Sequence, residues 1–111
     1  MELGYSISVH GVIDPIVSIP GKDSLPIMTF LADIRGCEDT ILSWIDDILA
    51  GSADQYAWSG DQAFATITRD TTLLEAQWVR DETGAERGET LTTEQLRELV
   101  VGWRELRRSL S

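Results

Sequence analysis

Two side chains in this 111-residue chain have the chemistry of a nucleophile and its base, Cys37 and His10, each the sole residue of its type. A thiolate nucleophile needs a base within hydrogen-bond reach. A separation of 27 positions supplies no local reason for these two to meet. Cys37 reads more simply as a small apolar residue or the start of a helix. One Cys and one His also fall short of the four ligands of a zinc site. Carboxylates are more plentiful, with adjacent pairs at Glu38-Asp39, Asp46-Asp47 and Asp81-Glu82. None carries the alternating Asp/Asn ladder of a calcium loop. "DETGAERGE", from Asp81 to Glu89, comes nearest and departs from the twelve-residue spacing. Glycoside hydrolysis needs two carboxylates facing across one bond, and an abundance of acids does not specify such a pair. No GxGxxG, Walker or GxSxG motif appears. The expectation is a protein that is not an enzyme and takes no cofactor and no metal.

The charge points elsewhere. Nineteen acids against nine bases give a net charge of −10. Residues 1–91 hold sixteen acids and five bases, a net of −11, and residues 92–111 carry +1. Phosphate is repelled by such a surface, so neither nucleic acid nor an anionic membrane is an expected partner. A basic protein is favoured, because opposite fields accelerate encounter. The lone cysteine forbids an internal disulfide, and "MELGYSISVHG" lacks a signal peptide's basic and apolar regions. The expected location is the cytoplasm.

Two stretches could meet a protein partner. One is the acidic side of a helix over 38–50, with Glu38, Asp39, Asp46 and Asp47 and then Asp54 beyond it. The other is the meander with Tyr56, Trp58, Phe64 and Trp78, in which "YAWSGD" leads into a turn at Asp61. Trp and Tyr are the usual anchors of interfaces when exposed. The candidate partner-binding set is therefore Asp46, Asp47, Asp54, Tyr56, Trp58 and Asp61. A purely solvated helix face and a purely internal aromatic set are the structural alternatives. On alternating strands Tyr56 and Trp58 share a face, and Leu74, Ala76 and Trp78 share another. Tyr56 or Trp58 is expected to be partly exposed.

These residues require positioning elements. Leu3, Tyr5, Ile7 and Val9 alternate with small or polar residues, the period of a strand with one wet face. Ile16, Val17 and Ile19 suggest a second strand after turn residues at Gly11 and Asp14-Pro15. Ile27, Phe30, Leu31 and Ile34 make a helical stripe that Ser24 can cap, with a strand over residues 26–32 as the alternative. Ile41, Ile45, Ile48 and Leu49 predict a second helix ending at Gly51. Three strands follow as a meander through "SADQYAWSG", "QAFATITR" and "TLLEAQWV", and Arg80–Thr90 reads as a polar, mobile loop. Thr92 and Gln95 match a capping box for a closing amphipathic helix, in which Gly102 suggests close packing. The expected fold is one α+β domain spanning 1–111. Its antiparallel sheet comprises an N-terminal hairpin and a three-stranded meander, with helices packed upon it.

The order "SLPIMTFLADIRGCEDTILSWIDDILAG", "YAWSGDQAFATITRDTTLLE", "LTTEQLRELVVGWREL" resembles small bacterial immunity proteins of polymorphic toxin systems, including those of contact-dependent growth inhibition. The likeness covers roughly residues 24–110 and lies in spacing and character. The resemblance implies a non-enzymatic protein that neutralises one cognate toxin domain, often a nuclease whose phosphate-binding site is basic. Carboxylates would then occupy phosphate positions. The basic C-terminal helix departs from that pattern. Other readings are an acidic, phage-encoded decoy of a nucleic-acid-binding complex, and a structural protein, monomeric or weakly homodimeric through a sheet edge.

Overall fold

The computed structural model describes residues 1–110. Strands β1 (Glu2–Ile7) and β2 (Ile13–Ser18) pair antiparallel as a hairpin. Helices α1 (Ser24–Asp33) and α2 (Glu38–Leu49) follow, then strands β3 (Gln55–Ser59), β4 (Ala63–Thr68), β5 (Thr71–Arg80) and β6 (Glu86–Thr92), and helix α3 (Thr93–Leu110). The four strands form an antiparallel sheet in sequence order, separate from the hairpin. The architecture is α+β, as the periodicities require. The meander has four strands rather than three: most of the expected 80–90 loop is β6. Only Asp81–Ala85 remain as turn, because the Asp81 carboxylate accepts from the Thr83 and Ala85 amides and closes it tightly.

The helical reading of α1 holds, since Ile27, Phe30, Leu31 and Ile34 all face the core. Its cap is Asp23, not Ser24: Asp23 has extended backbone and accepts from the Leu25 amide. Gly51 follows the α2 C-cap with φ +82°, as a C-terminal glycine should. The capping box of α3 forms reciprocally, Thr92 N–H to Gln95 and Gln95 N–H to Thr92, at 3.1 and 3.0 Å. Gly102 turns its Cα toward Leu3 of β1, where an added Cβ would lie 3.0 Å from a methyl carbon.

One core joins these layers. Ala65, Ile67, Leu74 and Leu91 from the sheet meet Phe30, Ile45, Leu99 and Trp103 from the helices. The register places Trp58 beside Ala65, and Ala65 beside Leu74. Tyr56, Trp58, Leu74 and Ala76 therefore share one inner face, a correction to the two-face reading. Strand alternation fixes facing only within a strand; facing between strands depends on register. The outer face carries Ala57, Phe64, Thr66 and Leu73, of which Ala57 and Leu73 are exposed. Among the described residues no helix is long and apolar enough to cross a membrane.

Candidate functional site

The acidic side of α2 is not a free patch. α3 runs alongside it and returns cations to it one by one. Glu38 is buried, accepts from the Gly36 amide at 2.8 Å and is closed over by Arg107. Asp39 receives Arg104 at 2.9 Å and Arg108 at 3.3 Å, and Asp46 receives Arg97 at 2.8 Å. The hydrogen bonds that Arg97 and Arg104 donate to Asp46 and Asp39 hold both guanidiniums above the ordinary arginine range. The basic C-terminal helix is thus the counter-charge of α2. Heptad-like spacing cannot reveal this, because the partners lie more than fifty positions apart.

The same holds across the molecule. Lys22, Arg35, Arg80 and Arg87 are paired with Glu89, Asp14, Glu86 and Asp23. Arg104 also meets Glu105 at 3.1 Å. Eight of the nine bases therefore sit in ion pairs, and Arg69 has none among the described residues. Those pairs engage eight of the nineteen acids, so eleven carboxylates carry no cation within 4.0 Å among the described residues. What an approaching molecule meets is almost wholly negative.

The sheet divides the candidate residues. At one end lie Asp47 and Asp54, beside the β4–β5 turn with Asp70 and the first turn of α3 with Glu94. Tyr56 stacks on Trp44 at 5.0 Å and 7°, and its hydroxyl donates to Asp47 at 3.4 Å. Trp58 turns inward and meets Phe30 edge-on at 5.6 Å. Both aromatics are half-buried, as expected of one of them. Asp61 lies at the opposite end, in the β3–β4 turn. The five residues of β3 separate it from Asp54 by about 16 Å. The six residues named from sequence therefore form two groups rather than one.

The sequence names Trp78 among the meander aromatics, but not the bulge that sets it beside Asp61. Between Ala76, paired with Arg87, and Arg80, paired with Glu86, β5 carries three extra residues. Gln77, Trp78 and Val79 form this bulge. It leans on the β3–β4 turn: the Gln77 amide donates to Gln62 O at 2.8 Å, and the Trp78 indole donates to Asp61 O at 3.3 Å. Trp78 has φ +71° and is 75% exposed. A left-handed backbone on a bulky residue costs about 1–2 kcal/mol. The turn itself is locked. Asp33 accepts from the amides of Gln62 and Ala63, each at 2.9 Å, and a Cβ on Gly60 would collide with the Asp33 carboxylate and the Trp58 ring. The one trace in the sequence is the length of β5, ten residues against six in β4.

Elsewhere the polar groups serve one another. His10 sits in the tip of the hairpin and Cys37 precedes α2, with no hydrogen bond between them. A cleft of about 450 Å³ under the β5–β6 turn is lined by Asp23, Arg80, Asp81 and Arg87. Arg87 grips Asp23 through two nitrogens there, and that hydrogen bonding holds the Asp23 carboxyl below its usual range. Among the described residues no three His, Cys, Asp or Glu side chains gather as metal ligands would. Searches of protein-family models, curated proteins and solved structures find no match for this chain.

Proposed function

We propose that this protein is an immunity protein: it binds a cognate bacterial toxin domain with a basic surface, such as a nuclease, and neutralises it in the cytoplasm. The observation that carries this reading is the charge census. Eight of the nine cations are paired within the fold, while eleven carboxylates have no cation within 4.0 Å among the described residues. A fold can neutralise its own acids; this one leaves Asp47, Asp54, Asp70 and Glu94 without a cation at one end of the four-stranded sheet and Asp61 at the other. Such a surface steers a basic partner and rejects nucleic acid. Asp47, Asp54 and Tyr56 form one contact region and Asp61 the other. Asp46 contributes field rather than a free contact, and Trp58 supports β3 from within.

Calorimetric titration with the toxin domain encoded beside its gene, at low and high salt, tests the reading. Nanomolar binding that weakens at least tenfold between about 50 and about 500 mM salt is the expected result. Absence of binding overturns it. A second reading, a homodimer, is favoured by the hairpin, where Tyr5, Ile7, Val9, Val12 and Ile16 are exposed apolar residues. A mass by light scattering that rises with concentration supports that reading, and a constant monomer mass rejects it.

A further inference from the structure

The geometry points to the Trp78 bulge and the β3–β4 turn as a receptor corner for an arginine side chain of the partner protein. The guanidinium stacks on the Trp78 indole and pairs with the Asp61 carboxylate. This rests on the protein-binding part of the proposed function and not on the partner being a toxin.

Four observations converge on it. First, Trp78 is the odd tryptophan. Trp44 stacks on Tyr56, Trp58 meets Phe30 and Trp103 lies under the Arg107 guanidinium, whereas the Trp78 ring has no stacked aromatic ring or guanidinium among the described residues. Second, the ring is held out rather than left loose: its backbone is left-handed, and its indole N–H is tied to the Asp61 carbonyl. Third, Asp61 is exposed and has no cation within 4.0 Å among the described residues. Arg80, the base nearest in sequence to Trp78, is committed to Glu86 at 3.5 Å. Fourth, the platform is braced from behind by Asp33 and by Gln77, whose side chain reaches Ala63 O at 3.2 Å and Ser59 Oγ at 3.3 Å. The aromatic ring and the Asp61 backbone are thus fixed beside each other before any partner arrives, with the exposed Asp61 carboxylate carried next to the ring.

The chemistry of the occupant follows. An apolar side chain would find one ring beside the polar Ser59, Gln62 and Gln77. An anion would meet Asp61 and the field of the whole chain. A cation satisfies both groups at once. Guanidinium suits them better than ammonium, because its plane stacks on an indole while its edge presents a fork of donors to a carboxylate. Preorganised aromatic corners of this kind are the usual hot spots of interfaces.

The test needs no toxin. The four tryptophan indole N–H signals of ¹⁵N-labelled protein are followed by NMR during titration with acetyl-Gly-Arg-Gly-amide. Matched peptides carry lysine or the neutral isostere citrulline. The Trp78 signal, identified by its loss in Trp78→Leu, is expected to move saturably with the arginine peptide. Binding should be at least threefold weaker with lysine and undetectable with citrulline. Asp61→Asn should weaken the arginine response at least threefold, while Glu94→Gln leaves it within a factor of 1.5. Equal responses to arginine and citrulline overturn the proposal. So does an arginine response confined to the amides of 47–55. A failed toxin titration with a positive peptide titration would remove the immunity reading and leave this one in place.

Discussion

Glu38 offers the sharpest test of how α2 and α3 are joined. Its carboxylate is buried, with a side chain 6% exposed, and it is the sole acid of α2 in that state. One oxygen accepts from the Gly36 amide and the other from Arg107. Glu38→Gln preserves volume and one acceptor. It places an NH₂ group where the second oxygen met the guanidinium, donor against donor. A hydrogen bond to a charged group contributes about 1.5–3 kcal/mol, and breaking a fully buried ion pair costs about 3–5 kcal/mol. Arg107 keeps a side-chain exposure of 29%, so water takes back part of that cost. The expected loss is about 2 kcal/mol, which lowers the urea midpoint by about 1 M for a typical m-value near 2 kcal/mol/M. Tryptophan fluorescence in urea measures it, with the fully buried Trp103 as a core reporter. The exposed pair Asp46–Arg97 is the control: Asp46→Asn should cost less than about 0.5 kcal/mol. A midpoint shift below about 0.3 M for Glu38→Gln, or equal shifts for the two variants, would refute the argument that burial sets the strength of these pairs.

Two further outcomes are expected. Gly60→Ala forces a Cβ into the Asp33 carboxylate and the Trp58 ring, so one of the Asp33 hydrogen bonds must break. The cost is about 1–3 kcal/mol and shows as a lowered Tm, whereas an unchanged Tm refutes the close approach. Stability also depends on acidity through Asp23, which Arg87 holds below its ordinary value of 3.8. Between that value and the lower folded one, the unfolded chain binds a proton that the folded chain does not. Stability is therefore fully present above the ordinary value and falls as pH drops through the folded one. Asp23→Asn should flatten the fall in Tm between about pH 4 and about pH 2. Parallel curves for variant and wild type would exclude the contribution.

Local patterns were legible where the physics is local. The stripe Ile27, Phe30, Leu31 and Ile34 identifies α1 because residues three and four apart share a helix face, and the fold buries all four. Thr92 and Gln95 identify the start of α3 because a capping box is complete within four residues. Ser24 failed as a cap because the neighbouring Asp23 offers a carboxylate that also receives Arg87, sixty-four positions away. β6 was missed because its glycine and charges read as loop. It forms because Leu91 enters the core opposite Thr72, while Arg87 and Glu89 are satisfied by Asp23 and Lys22.

The sequence by itself determined the α+β class, the helices, the C-terminal glycine of α2 and the capping box of α3, most of the strands and a strongly negative net charge, since each depends on neighbouring residues or on a sum over the chain. The tertiary structure alone decided where that charge is available. It paired α2 with α3, leaving Glu38, Asp39 and Asp46 committed and Asp47, Asp54 and Asp61 open. It also set the strand register that turned Tyr56 and Trp58 inward and, by inserting three residues into β5, turned Trp78 out. Ion pairs and register join positions distant along the chain, and no local period records which distant partner a side chain will find.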